Sequence, residues 1–378
     1  MRRLLFLILL PGVITSCGSN QRSENLFGGD VMYDIVKVDS FDIPRENAVR
    51  ILDFNESKRN YLGYDVINEE FVVLDYQGKE LNSIKLQGEG PDEYNSLLTA
   101  ASFSQDEEGY FLQSAGELIK YDTDWHVIER IKFSPKISVF LYSGPRFKVP
   151  YFMGENGTDF SFFASFFSGF SFHQFEKNEV LQEQKLLEYY STSAKDLKSD
   201  LSLDMEYFND SELEAQYFRP IQIFHLDQEE GLLYLTFKNS SILGIYDIFN
   251  GFELVSKISL DHESFLASNQ ARNVGVYKLD KHTIVLVYFM GKSEGEIQNL
   301  MDSNPDYLAH KDPACYSIMV VSLEGQERFE IAFPEEAEPH SEILSFRDGK
   351  LLMRIRESVE VEQDYSRYAI YELRRQED

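Results

Sequence analysis

Apolar residues along this chain come mostly in short runs or in strict alternation with polar ones, broken by Gly, Asp, Asn and Ser. Phe71-Val72-Val73-Leu74, Leu232-Leu233-Tyr234-Leu235-Thr236-Phe237, Ile284-Val285-Leu286-Val287-Tyr288-Phe289 and Leu351-Leu352-Met353-Arg354-Ile355 are examples. Runs of that length bounded by turn formers predict strands, and helical periodicity is scarce. The 22 Tyr and 30 Phe reinforce the reading, because aromatic side chains suit a pleated, half-buried surface. The chain is therefore expected to be all-β.

The strands repeat. Leu74-Asp75-Tyr76-Gln77-Gly78 leads to Ile84, Tyr121-Asp122-Thr123-Asp124-Trp125 to Ile131, and Val321-Ser322-Leu323-Glu324-Gly325 to Ile331. In each, the polar residue ending one strand lies nine positions before the isoleucine of the next. Tyr246-Asp247-Ile248-Phe249-Asn250-Gly251 leads to Ile258 with two more residues, and Phe172 to Lys177, leading to Lys185-Leu186-Leu187, is a looser copy. Each copy reads as a tight hairpin onto an outer strand. With two further strands upstream, as in 221–260, the unit has four antiparallel strands. Units near 47–87, 97–134, 139–188, 217–261, 272–334 and 339–376 predict a six-bladed β-propeller.

The sixth unit stops after Tyr371-Glu372, which by analogy ends a third strand, so its fourth is missing. Val31 to Val38 is unassigned and strand-like, and is expected to supply that strand, closing the ring and removing an open edge. A pair of β-sandwiches explains neither the repeated hairpin nor the incomplete last unit. Seven blades are the other alternative.

The N-terminus changes the picture next. Met1-Arg2-Arg3, an apolar run from Leu4 to Leu10 and the small residues before Cys17 form a secretory signal. The run is too short to span a bilayer core of about 30 Å. Ile14-Thr15-Ser16-Cys17 looks like a bacterial lipobox, so residues 1–16 are expected to be a lipoprotein signal peptide, 17–30 an acylated Cys17 and tether, and 31–376 one propeller domain. The expected address is the bacterial cell envelope, at the outer membrane, reached through the lipid; a plain signal peptide with a chance cysteine is the alternative. With Cys17 acylated, Cys315 has no partner, and its apolar strand-like setting marks a buried structural thiol.

Charge then excludes functions. There are 36 Lys and Arg against 64 Asp and Glu, a formal charge of −28, which disfavours nucleic acid. Such a body is also repelled by anionic head groups, so lipid and not charge must hold it at a membrane. Two cysteines exclude a disulfide framework and a multi-cysteine zinc module.

Local catalytic signatures are absent. The seven histidines are spread so that no two lie within five residues, which leaves no local zinc spacing, and no metal ligand set or cofactor is assigned. There is no Gly-x-Ser-x-Gly elbow, and no catalytic residue is named. Asp302-Ser303-Asn304-Pro305-Asp306 has the hard oxygens of a calcium loop but lacks its Gly and distal Glu, so a polar turn is expected. Gly88-Glu89-Gly90-Pro91-Asp92-Glu93-Tyr94 lacks the strand-loop-helix context of a phosphate loop, and Gly88, Gly90, Pro91, Glu93 and Tyr94 read as a structural turn between blades, Tyr94 packing back on the sheet. The Phe-rich stretch 160–170 reads as core.

The lipobox, the six weak units and the 88–94 turn together resemble the six-bladed, TolB-like propeller lipoproteins of Bacteroidetes, whose members often carry Gly-x-Gly-Pro-Gly-Glu-[Tyr/Phe] after an early blade. Asp92 stands here in place of the last Gly. The resemblance spans roughly 30–376; it implies a fold and an address, and no catalytic residue carries over.

Two stretches break the rhythm: 189–216, acidic and partly helical in pattern, between the third and fourth units, and 291–313 within the fifth, where Glu294 to Met301 is expected to be helical. In four-stranded antiparallel blades the loops between second and third strands, and those between blades, leave on one face. Both stretches and the 88–94 turn should share it. The expected function is an envelope-anchored, non-enzymatic binding or docking propeller with a protein or carbohydrate partner on that face; Asp302, Asp306 and His310 are the candidate contacts. The alternative is a propeller enzyme, a lyase or hydrolase, with its site in the central channel. A channel lined by convergent His, Arg and carboxylates would favour that alternative.

Overall fold

The computed structural model describes residues 32–135, 144–154, 159–165, 172–173, 185–202, 204–208, 217–218, 221–260, 271–324, 327–339, 341–357 and 364–376. Cys17, the signal and the tether lie outside them. Six four-stranded antiparallel sheets form a six-bladed propeller. Blade 1 spans 49–84, blade 2 98–132, blade 3 151–202, blade 4 222–259 and blade 5 272–332; blade 6 combines 344–345, 350–354 and 366–376 with Met32–Ile43.

The repeated Tyr-Asp of the sequence has a physical cause. Asp75, Asp122 and Asp247 each end a third strand, and each carboxylate accepts two backbone N–H groups of the turn that follows. For Asp75 these come from Gln77 and Lys79, both at 2.9 Å. For Asp122 they come from Asp124 and His126, and for Asp247 from Phe249 and Asn250. The side chain thus satisfies turn amides that no strand reaches. Gly78 takes φ +81° in this turn, while Trp125 holds φ +65° at the matching place in blade 2. Burial offsets that strain: Trp125 stacks on Tyr110 at 3.7 Å and is almost fully buried.

The core lies between blades. Separate apolar clusters join blades 1 and 2, 4 and 5, 5 and 6, and 6 and 1, and a larger one spans 2, 3 and 4. Every interface of a six-membered ring is therefore filled. Phe160, Phe162 and Phe163 of the Phe-rich stretch belong to the largest cluster. Closure is by the N-terminal strand, which pairs antiparallel with 366–376 as the outermost strand of blade 6, with a bulge between Lys37 and Asp39. Because that partner comes from the other end of the chain, no hairpin follows Glu372. The third strand runs on to Gln376, past the end expected at Tyr371-Glu372.

Blade 3 departs from expectation. Its third strand is Lys185–Ser191 and its fourth is Asp196–Ser202, whereas 185–187 was expected as the outer strand and 189–216 as an insertion. Outer strands face solvent on much of their surface, so Asp196-Leu197-Lys198-Ser199-Asp200 carries only a weak apolar pattern. Phe172–His173 is not a third strand; it pairs with Tyr217–Phe218 in a separate two-stranded sheet. Nor is 194–217 helical beyond one 3-10 turn, Met205–Tyr207, among the described residues. The long connections of blade 3 are therefore 166–184, between its second and third strands, and 203–221, leading to blade 4. Of their described parts, Phe172–His173 of the first pairs with Tyr217–Phe218 of the second. In blade 5 the connection after Phe289 carries helix α1, Glu294–Ser303, started by a capping box between Ser293 and Glu296.

Candidate functional site in the central channel

The segment entering blade 3 is the part of the chain that shapes the channel. Residues 145–149 run parallel to the inner strand of blade 2, with Arg146 N–H donating to the Thr99 carbonyl at 3.0 Å and Ala101 N–H to the Phe147 carbonyl at 2.9 Å. In extended backbone, side chains alternate. Phe147 packs on the core cluster of blades 2 to 4, so Arg146 and Lys148 point the other way, into the ring.

Their partners show how far they reach. Arg146 Nε pairs with Glu342 Oε1 at 2.6 Å, and Glu342 precedes the first strand of blade 6, opposite blade 3 in a six-membered ring. Arg50 of blade 1 holds the other oxygen of Glu342 at 3.4 Å and donates to the Pro145 carbonyl at 2.8 Å. Lys148 pairs with Asp53 of blade 1 at 2.8 Å. At the end of the channel bounded by the first-to-second strand turns, Arg347 of blade 6 meets Glu229 of blade 4 at 3.3 Å.

Lys148 is surrounded by protein, yet 44% of its side chain stays accessible, as expected for a group lining an internal, water-reached channel. Burial pushes its ammonium pKa down, and the Asp53 carboxylate together with Tyr151 more than offsets this, leaving it raised. Asp53 itself is buried and accepts the Phe103 N–H at 2.9 Å. Lys278 of blade 5 pairs with the nearly buried Asp227 of blade 4.

His225 stands between these pairs, on the inner strand of blade 4. Burial pulls its pKa down to about 4; Asp227 opposes the shift, and Lys148 and Lys278 add to it. The ring is thus neutral at physiological pH, and makes no hydrogen bond among the described residues. Tyr151 and Tyr277 pack on the neighbouring inter-blade clusters, their hydroxyl pKa values raised chiefly by burial. The arrangement offers fixed cations, a neutral imidazole able to donate or accept, and carboxylates that hold the cations in place. Among the described residues no group of three or more His, Cys, Asp or Glu is placed to hold a metal ion.

The depressed His225 pKa has a stability consequence. Unfolded, the ring titrates near 6.5. Its contribution is then complete above about pH 6.5 and is lost as pH falls toward 4, because the unfolded chain binds the proton first. The difference amounts to at most about 3 kcal/mol, less where channel water screens the charge. The melting temperature of His225→Gln is expected to fall less than that of the wild type between pH 6.5 and 4.5; parallel curves would show that burial does not depress this histidine.

The residues singled out from sequence lie elsewhere. Asp302 is exposed on α1, where its carboxylate accepts from Gln298 at 2.7 Å. Asp306 is exposed in the next turn, and His310 lies in a short 3-10 turn where its carbonyl accepts from Tyr316 Oη at 2.7 Å. All three belong to the blade 5 connection. In the turn 88–94, Gly88 N–H donates to the Tyr94 carbonyl at 2.9 Å, and Gly90 N–H to the Glu93 carboxylate at 2.6 Å. A Cβ on Gly88 would sit 2.0 Å from that carboxylate. Pro91 and Glu93 offer their carbonyls to Arg130, Tyr94 is buried against Phe71, and Asp92 accepts the Val127 N–H at 2.8 Å, docking the turn on blade 2. Cys315 is a buried free thiol near Tyr307 and Asp312.

Sequence reasoning missed the channel residues because they are single charges in unrelated strands. A signal was nonetheless present. The innermost segments 49–55, 98–103, 145–153, 222–227, 272–278 and 341–346 hold Arg50, Arg146, Lys148, Arg272 and Lys278 against Asp53, Asp227 and Glu342, five cations to three carboxylates in a chain with 36 to 64.

No family model matches the chain, and no curated protein matches it in sequence. Solved structures do match in shape. A member of the DUF4221 family from Bacteroides vulgatus superposes with a TM-score of 0.68 at 10% identity, over 90% of this chain and 98% of that one. A Bacteroides fragilis protein described as exported gives 0.48 at 11% identity, over 92% and 96%. A streptogramin B lyase gives 0.43 at 12% identity, over 90% and 88%. At such identities the shared property is the fold, and the first of these structures supports the six-bladed ring.

Proposed function

We propose that this protein is a ligand-binding propeller held at the bacterial cell envelope by lipid on Cys17, as in the TolB-like lipoproteins it resembles, and that its ligand is a small polar molecule taken into the central channel. The observation that carries the reading is the convergence of Arg50, Arg146, Lys148, His225, Lys278 and Glu342 across the ring, a lining that a channel lyase or hydrolase would also use, so that recovery of a chemically changed compound would favour the enzyme. A purely structural channel needs no such investment, since buried charges cost desolvation that an apolar lining avoids. The lipobox supports the address. Among the described residues no helix is long and apolar enough to cross a membrane.

The test incubates the folded domain with the small-molecule fraction of spent growth medium, and analyses what is retained by mass spectrometry. A compound retained by the wild type, still retained after 291–313 is cut to a short turn, and lost in His225→Phe supports channel binding. Retention by His225→Phe with loss in the trimmed protein overturns it, and moves the site to the long-loop face with Asp302, Asp306 and His310.

A further inference from the structure

We infer that helix α1 and the turn after it form a docking surface for a cationic, amphipathic segment of a partner protein. Three observations carry this, and none of them draws on the channel. The first is what α1 lacks. It runs from Glu294 to Ser303, and none of its residues is buried. A helix this short is marginal in water by itself, and most helices in folded proteins are held by packing an apolar face. Here the ends do the holding. The Ser293–Glu296 capping box starts the helix, and the Asn304 N–H closes on the Leu300 carbonyl at 2.8 Å. The neck of the connection is pinned by the Met290 N–H, which donates to the Cys315 carbonyl at 2.8 Å. Gly295 in the first turn brings no side chain and lowers the helix propensity further.

The second is what α1 displays. Ile297, Leu300 and Met301 have the i, i+3, i+4 spacing that gathers side chains on one helix face. Ile297 and Leu300 are only half-buried, and Met301 keeps 42% of its surface exposed. Leu308, just past the turn that the Tyr307 N–H makes to the Asn304 carbonyl, keeps 46%. This apolar stripe has no core behind it, which is the mark of a face that packs on something else.

The third is charge, and it selects the occupant. From Ser293 to Ala309 the chain holds Glu294, Glu296, Asp302 and Asp306, and no Lys, Arg or His. The last turn of α1 carries Asp302 and no base, so the negative end of the helix dipole meets a negative side chain. Glu294, Asp302 and Asp306 are exposed and make no ion pair among the described residues. Pairing this face with the same face of a second copy would set these carboxylates against their equals, in bodies of charge −28. Anionic lipid and nucleic acid are repelled on the same ground. A segment with apolar residues for Ile297, Leu300 and Met301, and with Lys or Arg for Asp302 and Asp306, supplies both things that α1 is missing.

Two synthetic amphipathic peptides of about four helical turns test this, one joining a leucine face to lysines and the other the same leucine face to glutamates. Each is labelled and titrated into the folded domain at low ionic strength, with affinity read by fluorescence anisotropy and location by amide hydrogen exchange. The lysine peptide is expected to bind about tenfold or more tighter than the glutamate peptide. It should also slow exchange of the α1 amides, which in the free protein exchange faster than those of the blade 5 strands. Leu300→Gln with Met301→Gln keeps every charge, and Asp302→Asn with Asp306→Asn keeps the apolar stripe. Each pair should weaken the lysine peptide by about tenfold. All four positions are at least half-exposed, so the melting temperature should hold, and cutting 291–313 to a short turn gives a second reading if a variant unfolds. Undiminished binding by the Leu300 and Met301 variant would reduce the attraction to charge alone and overturn the inference. So would protection that falls outside α1, or no binding of the lysine peptide. A concentration-dependent dimer in sedimentation that Met301→Gln abolishes would make a second copy the occupant, and overturn it too. The channel reading is untouched by any of these results, because its own test follows a small molecule and His225.

Discussion

Deleting residues 32–43 is expected to cost roughly 5 kcal/mol or more, and to yield a protein that melts far lower or fails to stay soluble. Phe41 and Ile43 are almost fully buried, and Tyr33 and Ile35 pack against the cluster between blades 5 and 6. At ~1.5–3 kcal/mol for each large apolar side chain removed from contact, the two fully buried residues alone approach that figure. Phe41 also stacks on Tyr61 of blade 1 at 5.0 Å and on Tyr368 of blade 6 at 5.9 Å, so the strand seals the joint where the chain ends meet. The Arg367 guanidinium grips Asp42 through two hydrogen bonds of 2.7 and 2.9 Å, and lowers the pKa of that carboxyl. Without the strand, residues 366–376 become an open edge free to pair with another molecule. Thermal denaturation and sedimentation of the deletion variant check this. An unchanged melting temperature in a monomeric product would show that the ring does not depend on this strand.

Asp53→Ala is expected to destabilise the protein by about 3 kcal/mol. Its carboxylate accepts from three groups at once, Lys148 in the channel, the N–H of Phe54 and the buried N–H of Phe103. Lys148 can turn to channel water, so the loss of its partner costs less than in a dry interior. The Phe103 amide has no such escape, and an unsatisfied buried donor costs roughly 1–3 kcal/mol. Asp53→Asn separates the two effects. Its amide oxygen still accepts from Phe103 while the charge beside Lys148 is gone, so it should lose about half as much. Denaturant unfolding of both variants gives the comparison. Equal losses would mean that the charge and not the Phe103 hydrogen bond dominates. The Lys148 ammonium, no longer held by Asp53, should also titrate lower in both variants, since the largest opposition to burial is then gone.

The legible part of this protein is the part with local causes. The hairpin repeat could be read because one carboxylate, at Asp75, Asp122 or Asp247, accepts the amides of its own turn a few residues away. Helix α1 was expected over Glu294 to Met301, and the local signal behind it is the capping box of Ser293 with Glu296 and the acidic first turn. The closing strand followed from arithmetic, since a ring of four-stranded blades that ends one strand short must find the missing strand at the other terminus. Blade 3 was misread where local causes fail. Its outer strand, Asp196–Ser202, is held by pairing with Lys185–Ser191 more than by an apolar face, so its sequence carries little pattern. Phe172–His173 has strand-like residues but a partner, Tyr217–Phe218, that only the approach of two distant connections supplies.

Residue order alone specifies an all-β chain of six repeating units, the turns within them, and the strand that joins its ends. These follow from hydrogen bonds and burial that act between neighbours, or from a period that must close. The channel exists only once the blades have closed into a ring. Arg50, Arg146, Lys148, His225, Lys278 and Glu342 come from five blades, and nothing in their spacing along the chain relates them. They meet because a ring turns the inner strand of every blade toward one axis, where side chains far apart in sequence come within a few ångströms and their charges act on one another directly.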